Sequence, residues 1–161
     1  MNALRSGWVL VPLGYLALVG LPLAVTDVRT HRLPNTLVLP GLLLTAWALV
    51  GTFLAGPPSD ALAGLGGAAA VAAVLGAGWA TGLVGMGDVK LGVWLGGVAG
   101  MLGMPAHPAA LAQGAIAGAV VATTLLAAAL GGGGPTAASR IPLGPPALAA
   151  FWAATARLLL P

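Results

Sequence analysis

Four stretches of this chain carry no Asp, Glu, Lys or Arg and are each long enough to cross a lipid bilayer, which constrains the fold more than any other feature. Ser6 to Thr26 covers 21 residues, Leu33 to Ser59 and Ala61 to Gly87 cover 27 each, and Leu91 to Ser139 covers 49 with His107 its one ionisable group. A helix crosses the hydrocarbon core with about 20 apolar residues. The first three runs therefore supply one crossing each, and the fourth, broken near Met104, Pro105, His107 and Pro108, supplies two. A sixth crossing is predicted from about Pro145 to Leu160, where the long stem of Arg157 can reach the interface. The predicted spans are 8–26, 36–55, 61–82, 88–104, 108–130 and 145–160. Backbone polar groups in lipid must be satisfied internally, and these runs lack the alternation of barrel strands. The expected fold is all-α: residues 1–161 form a single integral-membrane domain, a bundle of six transmembrane helices, with Pro57-Pro58, Pro105 to Pro108 and Gly131 to Pro135 as connections.

Composition supports the same conclusion. With 59% apolar and 6% charged residues, too few polar groups remain to cover a water-facing surface. A surplus of three positive charges is too sparse for nucleic acid. The absence of cysteine excludes a disulfide framework, a thiol nucleophile and Cys-ligated metal, and two histidines alone make no plausible metal site, so no metal and no cofactor are expected. Arg29, Arg32, Lys90 and Arg140 fall in the first, third and fifth loops, against Arg5 and Arg157 on the other side. The bias predicts that those three loops are cytoplasmic in a multi-pass membrane protein. Arg5 and the apolar stretch after it are not read as a cleaved signal peptide, because the stretch is too long and Ala24-Val25-Thr26 is a poor cleavage site.

Asp27, Asp60 and Asp88 are the only acids. Asp60 follows Gly56-Pro57-Pro58-Ser59 and reads as a solvated turn residue. Asp27 and Asp88 each stand at a membrane boundary, both on the cytoplasmic side in the alternating topology, where an ionisable group marks a functional site by default. Two carboxyls sharing a site do not both ionise easily, so one serves as base towards water while the other, protonated, polarises a scissile carbonyl. Each Asp could instead cap a helix or pair with Arg29, Arg32 or Lys90.

The surrounding residues bear on that choice. Asp88 lies in Gly85-Met86-Gly87-Asp88-Val89-Lys90-Leu91, where the glycines allow close backbone approach at the mouth of a span. Asp27 opens Asp27-Val28-Arg29-Thr30-His31-Arg32-Leu33-Pro34-Asn35, in which Pro34 disfavours helix at Leu33 and Asn35 is a candidate cap for the second span. Together the two segments resemble the type IV prepilin peptidase family of GxGD membrane aspartic proteases, which carries an Asp followed by a basic residue, an apolar residue, Pro and Asn, and then GxGDxK. The resemblance implies a six-helix bundle, a catalytic pair made of Asp27 and Asp88, and motif or substrate-positioning roles for Arg32, Pro34, Asn35, Gly85, Gly87 and Lys90. A Pro-Phe-Gly-Pro-like segment is met by Ile141-Pro142-Leu143-Gly144-Pro145, with Leu143 in place of Phe. Larger members of that family carry an N-terminal cysteine-containing segment linked to N-methylation. This sequence has neither, so the resemblance implies a short, peptidase-only form.

Arg29, His31 and Arg32 also read as topology determinants, and Lys90 as a partner of Asp88 or of lipid phosphate. Gly64, Gly66, Gly67, Gly114 and Gly118 read as close-packing positions. The leading function is an endopeptidase removing the leader from type IV pilin-like precursors at the cytoplasmic face, its substrate reaching it through the membrane lipid. The alternatives are a small proton-coupled transporter or channel relaying protons through Asp27 and Asp88, and a noncatalytic assembly scaffold.

Overall fold

The computed structural model describes residues 7–30, 32–80, 82, 84–103 and 143–159. Among them are five helices and no strand: α1 (Leu10–Thr30), α2 (Asn35–Ala55), α3 (Pro58–Ala80), α4 (Met86–Met101) and α5 (Gly144–Leu159). These correspond to five of the predicted spans; the other, 108–130, lies outside the described residues, as do His31, His107, Gly114, Gly118 and Arg140. The first three helices are long and apolar enough to cross a membrane. At 21 to 23 residues each rises roughly 31 to 35 Å, against a hydrocarbon core of about 30 Å. α4 and α5 have 16 residues each.

The breaks follow from local chemistry. Leu33 precedes Pro34, and Pro34 holds an extended backbone (φ −70°, ψ 124°) from which α2 starts. Asn35, the candidate cap, is instead the first helical residue of α2, and no side chain caps that helix. Pro58 opens α3, a position where the missing N–H costs nothing. Asp60, expected in a solvated turn, accordingly lies half-buried in the first turn of α3, where a negative charge complements the helix dipole. Gly82 (φ 77°) turns the chain after α3, and Gly103 (φ 71°) does so after α4.

Short loops make α1 to α4 antiparallel neighbours, and α4 lies against α2 and α3 while α1 lies against α2 and α5. The most enclosed element is α4. Ten of its 16 residues are buried, so its shortness leaves little of it to meet lipid directly. Small residues bring α3 onto it: a Cβ at Gly96 would stand 2.6 Å from the carbonyl oxygen of Gly67, and one at Gly64 would stand 2.7 Å from Met101 Cγ. Gly66, grouped with them in the sequence, meets nothing within 4 Å and faces outward. Trp94 fills the centre, seated on Gly41 and 5.6 Å from the ring of Tyr15, whose hydroxyl donates to the Leu37 carbonyl at 3.1 Å. Leu18, Leu21, Leu43, Phe53, Leu54 and Val74 are exposed on the outer faces, an apolar surface suited to lipid and not to water.

Candidate active site

The helix directions gather five element ends at one end of the layer: the last turns of α1 and α3 and the first turns of α2, α4 and α5. Asp27 projects from the last turn of α1, which runs on to Thr30 because nothing before Pro34 interrupts it. Its carboxyl is buried, with 3% of the residue exposed. A carboxylate withdrawn from water needs donors, and the first N–H groups of a helix have no partner within it. α5 supplies one: the N–H of Gly144, its first residue, donates to Asp27 Oδ2 at 3.0 Å.

Asp88 is the third residue of α4. Gly85 caps that helix with extended backbone, and its carbonyl accepts from the N–H groups of Asp88 (3.1 Å) and Val89 (3.3 Å). A Cβ on Gly85 would stand 3.0 Å from Asp88 Oδ2, so the carboxyl folds back over the cap because the cap has no side chain. Gly87 faces the other motif: a Cβ there would lie 3.0 Å from Leu33 Cβ. Lys90 Nζ, one turn further along, donates to Asn35 Oδ1 at 2.9 Å. The Asp27 and Asp88 segments, some 60 residues apart in sequence, are therefore joined twice, by Gly87 on Leu33 and by Lys90 on Asn35.

The remaining expected residues are distributed as follows. Pro34 is half-buried at the start of α2, and Arg32 is exposed beside the junction, its carbonyl accepting from Thr30 Oγ1 at 3.1 Å. Arg29, in the last turn of α1, suits the negative end of that helix and adds positive charge on the same side. Asp60 is at the far end, within reach of Ser59 Oγ (3.4 Å) and remote from both motifs. Among the described residues no three His, Asp or Glu side chains come together as a metal-ligand set. The contact between Gly144 and Asp27 was not anticipated. The sequence signal for it is the glycine of Leu143-Gly144-Pro145, just before the last predicted span.

A family model described as the type IV leader peptidase family matches residues 14–134, which contain both aspartate segments and stop short of Gly144. No curated protein and no solved structure matches the chain.

Proposed function

The chain belongs to the type IV leader peptidase family, and from that membership we propose that it is an aspartic endopeptidase using Asp27 and Asp88 as one catalytic pair. In this reading it is a six-helix protein of the cytoplasmic (inner) membrane and cuts the leader from type IV pilin-like precursors at the cytoplasmic face. One carboxylate takes a proton from water as the oxygen attacks the scissile carbonyl, and the other, protonated, donates to the carbonyl oxygen. Collapse of the tetrahedral intermediate breaks the C–N bond, and the departing nitrogen takes up a proton from the pair. The pair titrates as a unit, and the reaction needs no cofactor.

The observation that carries this reading is the double junction of the two segments, Gly87 on Leu33 and Lys90 on Asn35, at the end of the helix layer that also holds Asp27. Pro34, Asn35, Gly85, Gly87 and Lys90 build the frame, and Arg32, exposed at its edge, is assigned to positioning substrate. A precursor whose own apolar helix lies in lipid reaches such an end by lateral diffusion. A proton relay fits less well, because both acids lie in terminal turns, whereas transport sites lie near the bilayer midplane.

The test is cleavage of a pilin-like precursor by purified variants, with folding checked by thermal melting in detergent. Asp27→Asn and Asp88→Asn are each expected to abolish turnover in a folded protein, and Asp60→Asn to be nearly silent. Substantial turnover by a well-folded Asp27→Asn or Asp88→Asn protein would refute the pair.

A further inference from the structure

We propose that Gly144 is a positioning residue of the peptidase reaction, its backbone N–H at the start of α5 fixing which oxygen of Asp27 faces the chemistry. The inference rests on the peptidase reading of Asp27 and extends it to a segment outside the range matched by the family model. The terminal torsion of a carboxyl group is soft, so Asp27 in the last turn of α1 needs an external restraint to hold one orientation. The Gly144 N–H provides one at 3.0 Å, in a buried contact that spans 117 residues of sequence. An N–H donates and cannot accept, so this contact favours Oδ2 as the unprotonated acceptor and a proton held by Asp27 on Oδ1. Oδ1 is therefore the oxygen that exchanges protons with water or with Asp88.

The donor's position does not depend on Asp27. Pro145 and Pro146 in the first turn of α5 restrict its backbone, and Leu148 and Phe151 are buried in the common core. Beside Phe151, Trp152 Nε1 lies 3.8 Å from where a Cβ on Gly20 of α1 would be. A donor held by packing in this way needs no reorganisation during the reaction. The N–H alone would suit any residue but proline; the close approach is what requires glycine. A Cβ at position 144 would stand 2.7 Å from Oδ2 and 3.3 Å from Cγ of Asp27, so any side chain there displaces the carboxyl itself.

The test replaces Gly144 by glycolic acid through in vitro translation, which turns the amide into an ester and removes the N–H without adding a side chain. Gly144→Ala is made alongside, with Gly66→Ala as a control whose new methyl meets nothing within 4 Å, and Asp27→Asn as the reference. The ester is expected to lower kcat about 10- to 100-fold, the scale of a small misplacement of a reacting group, with KM for the precursor within about twofold of wild type. Gly144→Ala should lose at least as much kcat, and Gly66→Ala nothing. An ester variant with wild-type kcat, in an assay where Asp27→Asn is inactive, overturns the positioning role and leaves the peptidase reading standing. A raised KM with unchanged kcat also overturns it, since that pattern belongs to binding. Activity in a well-folded Asp27→Asn protein removes the premise itself.

Discussion

Gly96→Ala should push α4 off α3, and the size of the effect follows from what the new methyl meets. It would stand 2.6 Å from the Gly67 carbonyl oxygen and 2.9 Å from Val71 Cγ2, where ordinary contact begins at 3.4 Å. The oxygen belongs to backbone and cannot rotate away, so the two helices must part locally by roughly 0.8 Å, the difference between 3.4 and 2.6 Å. Overpacking of this kind costs about 1–3 kcal/mol. Gly→Ala within a helix also gains about 0.5–1 kcal/mol in backbone entropy, and Gly66→Ala isolates that gain because its methyl points into open space. The difference between the two variants is therefore the overpacking term alone, about 1–3 kcal/mol, with Gly66→Ala neutral or more stable than wild type. Gly96 lies eight residues from Asp88 on the same helix, roughly 12 Å along its axis, so only part of the shift reaches the carboxyl. A tenfold fall in turnover is the expected order, since a full 1 Å misplacement costs about 10²-fold. Reversible unfolding in mixed micelles and cleavage kinetics measure the two effects. Equal stability of the two variants would refute the close approach of α3 to α4.

Lys90→Met and Asn35→Ala should each destabilise by about 0.5–1 kcal/mol, the usual worth of an exposed polar pair, and the double variant by hardly more than either single one; fully additive losses would mean that the bond between them contributes nothing. Cysteines placed singly at Thr30 and Ser59, which flank α2, should label from opposite faces of the membrane, with Thr30 reacting from the cytoplasm; labelling of both from one face would contradict the antiparallel arrangement. Metal chelators should leave precursor cleavage intact, and inhibition that is reversed by restoring a metal would contradict a reaction run by two carboxyls alone.

The helical class and most of the helix positions follow from the order of residues alone. In lipid an uncharged run of about 20 residues has one way to satisfy its backbone, so Asp27, Arg32, Asp60 and Asp88 fall within a turn of the end of α1 and the starts of α2, α3 and α4, while α2 and α3 stop five and eight residues before the next acid. The sequence also singled out Asp27 and Asp88, because three acids in so apolar a chain leave few candidates for chemistry. Local rules misplaced Asp60 and Asn35: Pro58 could start a helix as readily as a turn, and a residue after Pro34 could be either a cap or the first helical position.

What each of those residues meets depends on how the helices pack. Whether Gly66 or Gly67 lines the α3–α4 contact depends on helix rotation, and in a run of Gly and Ala no apolar stripe fixes that rotation. Lys90 had Asp88 two positions away and lipid phosphate as sequence-level partners, yet it bonds Asn35, 55 residues distant, because α2 and α4 begin side by side. The N–H that holds Asp27 comes from Gly144, at the far end of the chain. A backbone donor leaves almost no trace in a sequence, since every residue except proline carries one, and its partner becomes known only when the helices are packed.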